Sequence, residues 1–92
     1  MTWGPFLPGL DARERKARLR SLRACLHLIA GPRGRVAGMA LLRAEISGDQ
    51  QDTLHDAAEA FERLTALDRR RVLSAFLSVS FLYPKVIRDA AQ

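Results

Sequence analysis

Apolar residues crowd residues 68–83, DRRRVLSAFLSVSFLY, too densely for one face of an element to carry them. At the 100° step of a helix, Val72, Phe76, Val79 and Tyr83 fall on one seam and Leu73, Leu77 and Phe81 on another. Ser74 and Ser78 occupy the narrow polar gap. The same letters also alternate as a strand would, with Leu77, Val79, Phe81 and Tyr83 opposed to Ser78 and Ser80. Helix is the better assignment, because a lone strand finds no second strand to pair with in this chain. A helix apolar on two seams belongs at the centre of a bundle or between subunits. The pattern therefore predicts a hub helix capped by Asp68 and stopped at Pro84, with residues 85–92 adding a short final turn.

Three helices are predicted upstream. The first starts at Asp11, whose carboxylate accepts from first-turn amides while Glu14 reaches back as a capping box, and it ends at Gly31-Pro32. Leu19, Leu22, Leu26 and Ile29, with Cys25 beside them, form its core stripe, and Ala17, Ala24 and Leu28 a second, shallower one. The next helix, residues 36–46, presents Val36, Met39, Ala40, Leu42 and Ile46 to the core, with Gly38 allowing a neighbour to approach closely at a cost of about 1 kcal/mol relative to Ala. Ser47-Gly48-Asp49 ends it. A third helix runs from Gln50 or Asp52 to Leu67, with Leu54, Ala57, Ala58, Phe61 and Leu64 on one face and Asp52, Asp56, Glu59 and Arg63 opposite. Residues 1–10, MTWGPFLPGL, hold two prolines and two glycines and form an irregular apolar arm. The expected architecture is all-α: one compact domain over residues 11–92, a bundle of four helices with the arm laid across the last of them.

At 92 residues the chain hides only somewhat over 60% of its unfolded surface, which leaves a small core and favours a homodimer that shares part of the final helix or the arm. Apolar content of 48% against 27% charged argues against wholesale disorder. The single cysteine, Cys25, forms no internal disulfide and fits a reducing compartment, with the cytoplasm as the expected location. No leader pattern opens the chain, and the longest uncharged run, residues 72–84, falls short of the roughly 20 residues a bilayer requires.

Charge adds more when it is divided along the chain. Residues 1–35 carry a net +6, residues 36–68 a net −5 and residues 69–92 a net +4, within an overall +5. A basic, acidic, basic order can neutralise itself before any outside partner is met. On the first helix Arg13, Lys16, Arg20, Arg23 and His27 lie within about 80° of one another and make a basic ridge. Arg69, Arg70 and Arg71 stand in the first turn of the last helix, where the helix dipole disfavours them, beside amides able to bind an anion. Residues 36–64 have the order helix, turn, helix, but a recognition helix there would offer Asp52, Asp56 and Glu59 to a polyanion, so that reading is rejected.

The loop GPRGR contains Pro32-Arg33-Gly34-Arg35, which resembles the core of the AT-hook, a motif whose extended Arg-Gly-Arg lies along narrow A·T tracts. Val36 stands where that motif has a second proline. The resemblance covers four residues and implies minor-groove contacts from Arg33 and Arg35.

Nothing in the sequence marks a catalyst, and no cofactor is expected. His27, His55 and Cys25 are too few and too scattered for a metal site. Cys25 reads as a small buried apolar residue, and the serines of the last helix have no neighbouring base. His55 pairs with Glu59 or Glu62 one turn on. The expected function is non-enzymatic interaction, that of a regulator, adaptor or accessory subunit binding a protein partner through apolar helix faces rimmed by Arg, with Trp3, Phe6, Leu73, Leu77 and Phe81 as partner or dimer contacts. Trp3 and Phe6 also suit the chain's own core. The alternative is nucleic-acid or anion binding by Arg13, Lys16, Arg20, Arg23, Arg33, Arg35, Arg69, Arg70 and Arg71. The two separate on whether those cations converge on an open face or are met one by one by carboxylates.

Overall fold

Asp11 does what its position predicts. In a computed structural model describing the backbone of residues 3–48 and 50–91, and side chains as far as Ser78, its Oδ1 accepts from the Glu14 amide at 2.7 Å and opens helix α1, Ala12–Ala30. Glu14 turns its own carboxylate to Arg18, at 2.7 Å, rather than back to the cap. A 3-10 turn, Gly31–Gly34, joins α1 to α2, Arg35–Ser47, and α3, Gln51–Glu62, and α4, Ala66–Ala91, complete an all-α chain with no strand among the described residues.

The hub is α1, not α4. Helix α1 packs against the arm, the 3-10 turn, α2 and α4, and it buries Leu19, Leu22, Cys25, Leu26 and Ala30. Within its described side chains α4 buries Val72 and Phe76, half-buries Leu73 and Ala75, and leaves Leu77 55% exposed. The reason is connectivity: the arm and the Gly31–Gly34 turn fold back on α1 from both ends, and α1 meets α2 and α4 as well. Val79, Phe81 and Tyr83 lie outside the described side chains, so the second seam is described only through Leu73 and Leu77. Helix α4 also runs through Pro84 to Ala91 instead of stopping after Tyr83. Proline's fixed φ is itself helical, so the ring costs a hydrogen bond and a local clash without reversing the chain.

Helix α4 begins three residues earlier than a cap at Asp68 implies. Thr65 is the cap, its Oγ1 accepting from the Asp68 amide at 3.1 Å. Asp68 is thereby placed in the first turn, and α3 ends at Glu62 instead of reaching Leu67. The apolar face expected of α3 is the one it buries, through Leu54, Ala57 and Phe61.

The predicted face of α2 is overturned. Ala37, Leu41 and Ala44 go inward, while Val36 (75%), Met39, Leu42 and Ile46 (74%) are exposed. The sequence carries two apolar stripes on this helix, a small one and a large one. Close packing against the leucines of α1 admits the small one. Gly34, at the start of α2, shows how close: a Cβ there would stand 2.8 Å from two carbons of Leu26. Gly38, expected to be the close-approach residue, would keep ordinary contact at 3.8 Å.

The arm lies on the core of its own chain, and Gly4–Phe6 form one 3-10 turn in place of wholly irregular backbone. Trp3 meets Phe6 edge-on with ring centroids 5.3 Å apart, tilts over Phe61 at 5.3 Å and reaches Phe76 at 6.1 Å. Gly4, at φ +50°, sits so near the Phe76 ring that a Cβ would fall 2.8 Å from it. Arg15, buried on α1, donates from Nη1 to the carbonyls of Pro5 and Leu7 at 2.9 Å, and from Nη2 to Leu10 at 3.4 Å. Arg18 adds a bond to the Gly4 carbonyl at 3.1 Å. These arginines satisfy backbone acceptors that the arm's prolines and turns leave without helical partners.

Candidate functional site

The large stripe left outside by α2 borders a groove. Helix α1 contributes Arg20, Arg23, Ala24 and His27, α2 contributes Arg35, Gly38, Met39 and Leu42, and the Gly31–Gly34 turn closes one end, around a volume of ≈ 650 Å³. Its floor is shallow because Ala24, Gly34 and Gly38 have little or no side chain. The walls are apolar and the rim is cationic.

One carboxylate organises that rim. Glu45, 6% exposed on α2, accepts from Arg20 Nε at 2.9 Å through one oxygen and from Arg23 Nη2 at 3.1 Å through the other. Arg20 spends only its Nε, so both terminal nitrogens remain for another acceptor, and its side chain is 65% exposed. The Nε of Arg23 is buried and has no acceptor among the described residues. The side chain of Arg35, exposed on α2, has no hydrogen bond or ion pair among the described residues. Two guanidinium groups thus share one carboxylate, Arg35 adds a third cation to the lining, and among the described residues the groove carries net positive charge.

The other predicted cations are dispersed. Arg33 forms a two-bond fork with Asp68, Nε to Oδ2 at 3.0 Å and Nη2 to Oδ1 at 3.1 Å. This bond raises the arginine's pKa above its ordinary value and holds the aspartate below the usual carboxylate range. The fork ties the Gly31–Gly34 turn to the start of α4. The AT-hook-like tetrapeptide is therefore coiled as 3-10 turn and helix instead of extended, with Arg33 occupied. Arg69 meets Glu62 at 2.9 Å. Arg13 and Lys16 continue the α1 ridge, exposed, and Arg70 and Arg71 are exposed at the start of α4; none has a side-chain hydrogen bond among the described residues, and the charge of Arg71 helps to hold the Asp68 pKa down.

Of the expected partner contacts, Phe6 is buried and Trp3 half-buried in the aromatic cluster, Leu73 is half-buried, Leu77 is exposed, and Phe81 lies outside the described side chains. His55 pairs with Glu59 at 3.2 Å one helical turn on. Cys25 is buried, which pushes its thiol pKa up, and Ser78 donates to the Ser74 carbonyl at 3.0 Å. Neither is set up as a nucleophile.

Sequence reasoning missed Glu45, Arg15 and the outward use of Met39, Leu42 and Ile46. The available signal was α2 itself, apolar on two sides with Glu45 on its small-residue flank. Compared with known proteins, the chain matches no family model, no curated protein and no solved structure. The groove's own chemistry therefore carries the functional reading.

Proposed function

We propose that this chain is a non-enzymatic interaction protein, a small regulator, adaptor or accessory subunit of the cytoplasm, that takes a protein partner on the groove between α1 and α2. One observation carries the reading: Val36, Met39, Leu42 and Ile46 stand exposed in a cationic frame while Ala37, Leu41 and Ala44 fill the core behind them. Large side chains left outside when small ones would serve mark a contact surface. A homodimer through the α4 face that bears Leu77 belongs to the same reading, and sedimentation of the Leu77→Asp variant checks it.

Nucleic-acid binding draws less support, because Arg20, Arg23, Arg33 and Arg69 are each met by a carboxylate. Capture from the native host with the intact chain and with Leu42→Asp tests the choice. A partner held by the first and lost by the second is the expected result. Equal retention by both, or no retained protein, overturns it. Binding to random duplex DNA that weakens by powers of ten between roughly 50 and 200 mM salt would put the nucleic-acid reading in its place.

A further inference from the structure

We infer that the groove between α1 and α2 receives an amphipathic helix whose apolar seam is flanked by Asp and Glu, an inference that rests on the groove being a protein-docking site.

The shape of the surface calls for an elongated occupant. Arg35, Met39, Leu42 and Ile46 follow one another at spacings of four, three and four residues, one stripe that runs about 16 Å, or three turns, along α2. The floor between the helices is lined by Ala24, Gly34 and Gly38, so a second helix can approach closely. A compact small molecule would fill the ≈ 650 Å³ space but would leave Val36 and Ile46 uncovered beside it. Leu28, 81% exposed on α1, extends the apolar surface about 40° beyond Ala24, and it too lies outside that space. A helix with apolar residues at i, i+3 or i+4, and i+7 covers a strip of this length.

The charge of the frame selects the flanks. Arg20 and Arg23 share the Glu45 carboxylate, which holds both in place before any partner arrives, and Arg35 lines the same groove with no side-chain partner among the described residues. Acidic side chains beside the incoming seam find donors already positioned, whereas basic ones meet like charge. The chain's own acidic helix is not the occupant, because α3 turns Leu54, Ala57 and Phe61 into its own core. Among the described residues, the α3 of a second copy therefore offers no free apolar seam between its acidic flanks. A nucleic-acid duplex has the anions but nothing to cover Met39, Leu42 and Ile46.

The test is a displayed library of helices about 18 residues long with a fixed Leu/Ile seam and flanks randomised over Asp, Glu, Lys, Arg, Ser and Gln. It is selected on the intact chain after depletion on Leu42→Asp. Asp and Glu are expected to dominate the flanks of the binders. A synthetic binder should lose about tenfold in affinity on Arg35→Glu, the equivalent of about 1.4 kcal/mol, and its Lys-flanked counterpart should gain on that same variant. Ile46→Asp, at a position exposed enough to leave folding intact, should weaken the same peptides. Flanks without acidic bias, binders indifferent to Arg35→Glu, or no Leu42-dependent binder overturn the inference. If native-host capture still depends on Leu42 while the selected flanks show no acidic bias, the docking reading stands and only the partner chemistry fails. If capture ignores Leu42, the reading itself falls.

Discussion

Helix α1 uses the same residue type in opposite ways at its two ends. Near its start, Arg15 is buried and spent on three carbonyls of the arm, with Arg18 on a fourth. Further along, Arg20 and Arg23 share a single carboxylate at the edge of an open groove, with Arg35 facing them across it. The difference lies in what the chain supplies as acceptor. The arm, broken by Pro5 and Pro8, presents carbonyls with no helical donor, and a guanidinium answers several of them at once. At the groove the fold provides one acid for three cations and leaves large apolar side chains uncovered. The closed end spends its cations on the fold, and the open end leaves cations and apolar side chains exposed.

That contrast can be broken at either end. Phe76→Ala removes a side chain that is 1% exposed and supports both Trp3 and Gly4, and should cost about 4 kcal/mol in a urea unfolding series. Arg15→Ala leaves the Pro5, Leu7 and Leu10 carbonyls without their donor, so about 3 kcal/mol should be lost, with earlier proteolysis within the arm. A loss below about 1 kcal/mol would show that the arm is held by its aromatics alone. Gly34→Ala drives a methyl into Leu26 and should cost about 2 kcal/mol, read as a lower unfolding midpoint; no change would mean that α1 and α2 separate freely.

The fork between Arg33 and Asp68 gives a pH signature. Because the folded carboxyl titrates below its ordinary value, its contribution is complete above the unfolded aspartate pKa and disappears as pH falls through the folded one. Arg33→Ala should lower stability at neutral pH and flatten the acid limb at and below the ordinary aspartate range. Parallel acid curves for variant and parent would rule out this linkage. The smallest expected change comes from the open end. Arg35→Ala should move stability by less than about 0.5 kcal/mol, since an exposed side chain without a partner among the described residues leaves nothing unsatisfied when it is removed. A large loss there would make the groove a structural feature instead of a binding one.

Much of the skeleton was readable from local chemistry. Asp11 and Glu14 marked the start of α1, the inward face of α3 followed from one clean stripe, and Gly31-Pro32 ended α1 where the chain does turn. Errors gathered where two local readings competed. Asp68 was the expected cap, but its carboxylate is taken by Arg33, 35 residues away, and the hydroxyl at Thr65 caps instead. The apolar density of residues 68–83 marked a hub, yet the described part of α4 buries one seam.

The candidate site was legible only in its ingredients. Met39, Leu42 and Ile46 were visible as an apolar stripe, and Arg20, Arg23 and Arg35 as cations, but nothing local indicated that the stripe faces outward or that Glu45 joins two of the cations.

By itself the sequence determined that the chain is helical, roughly where its helices lie, and which flank of each is charged, because periodicity and capping act over three or four neighbouring residues. Tertiary structure alone decided which of two apolar stripes on α2 enters the core. That choice depends on the shape of the surface opposite, where Leu26 stands 2.8 Å from the place of a Gly34 Cβ. The stripe of Ala37, Leu41 and Ala44, with one large side chain between two small ones, is the one that packs there, while Val36, Met39, Leu42 and Ile46 face outward.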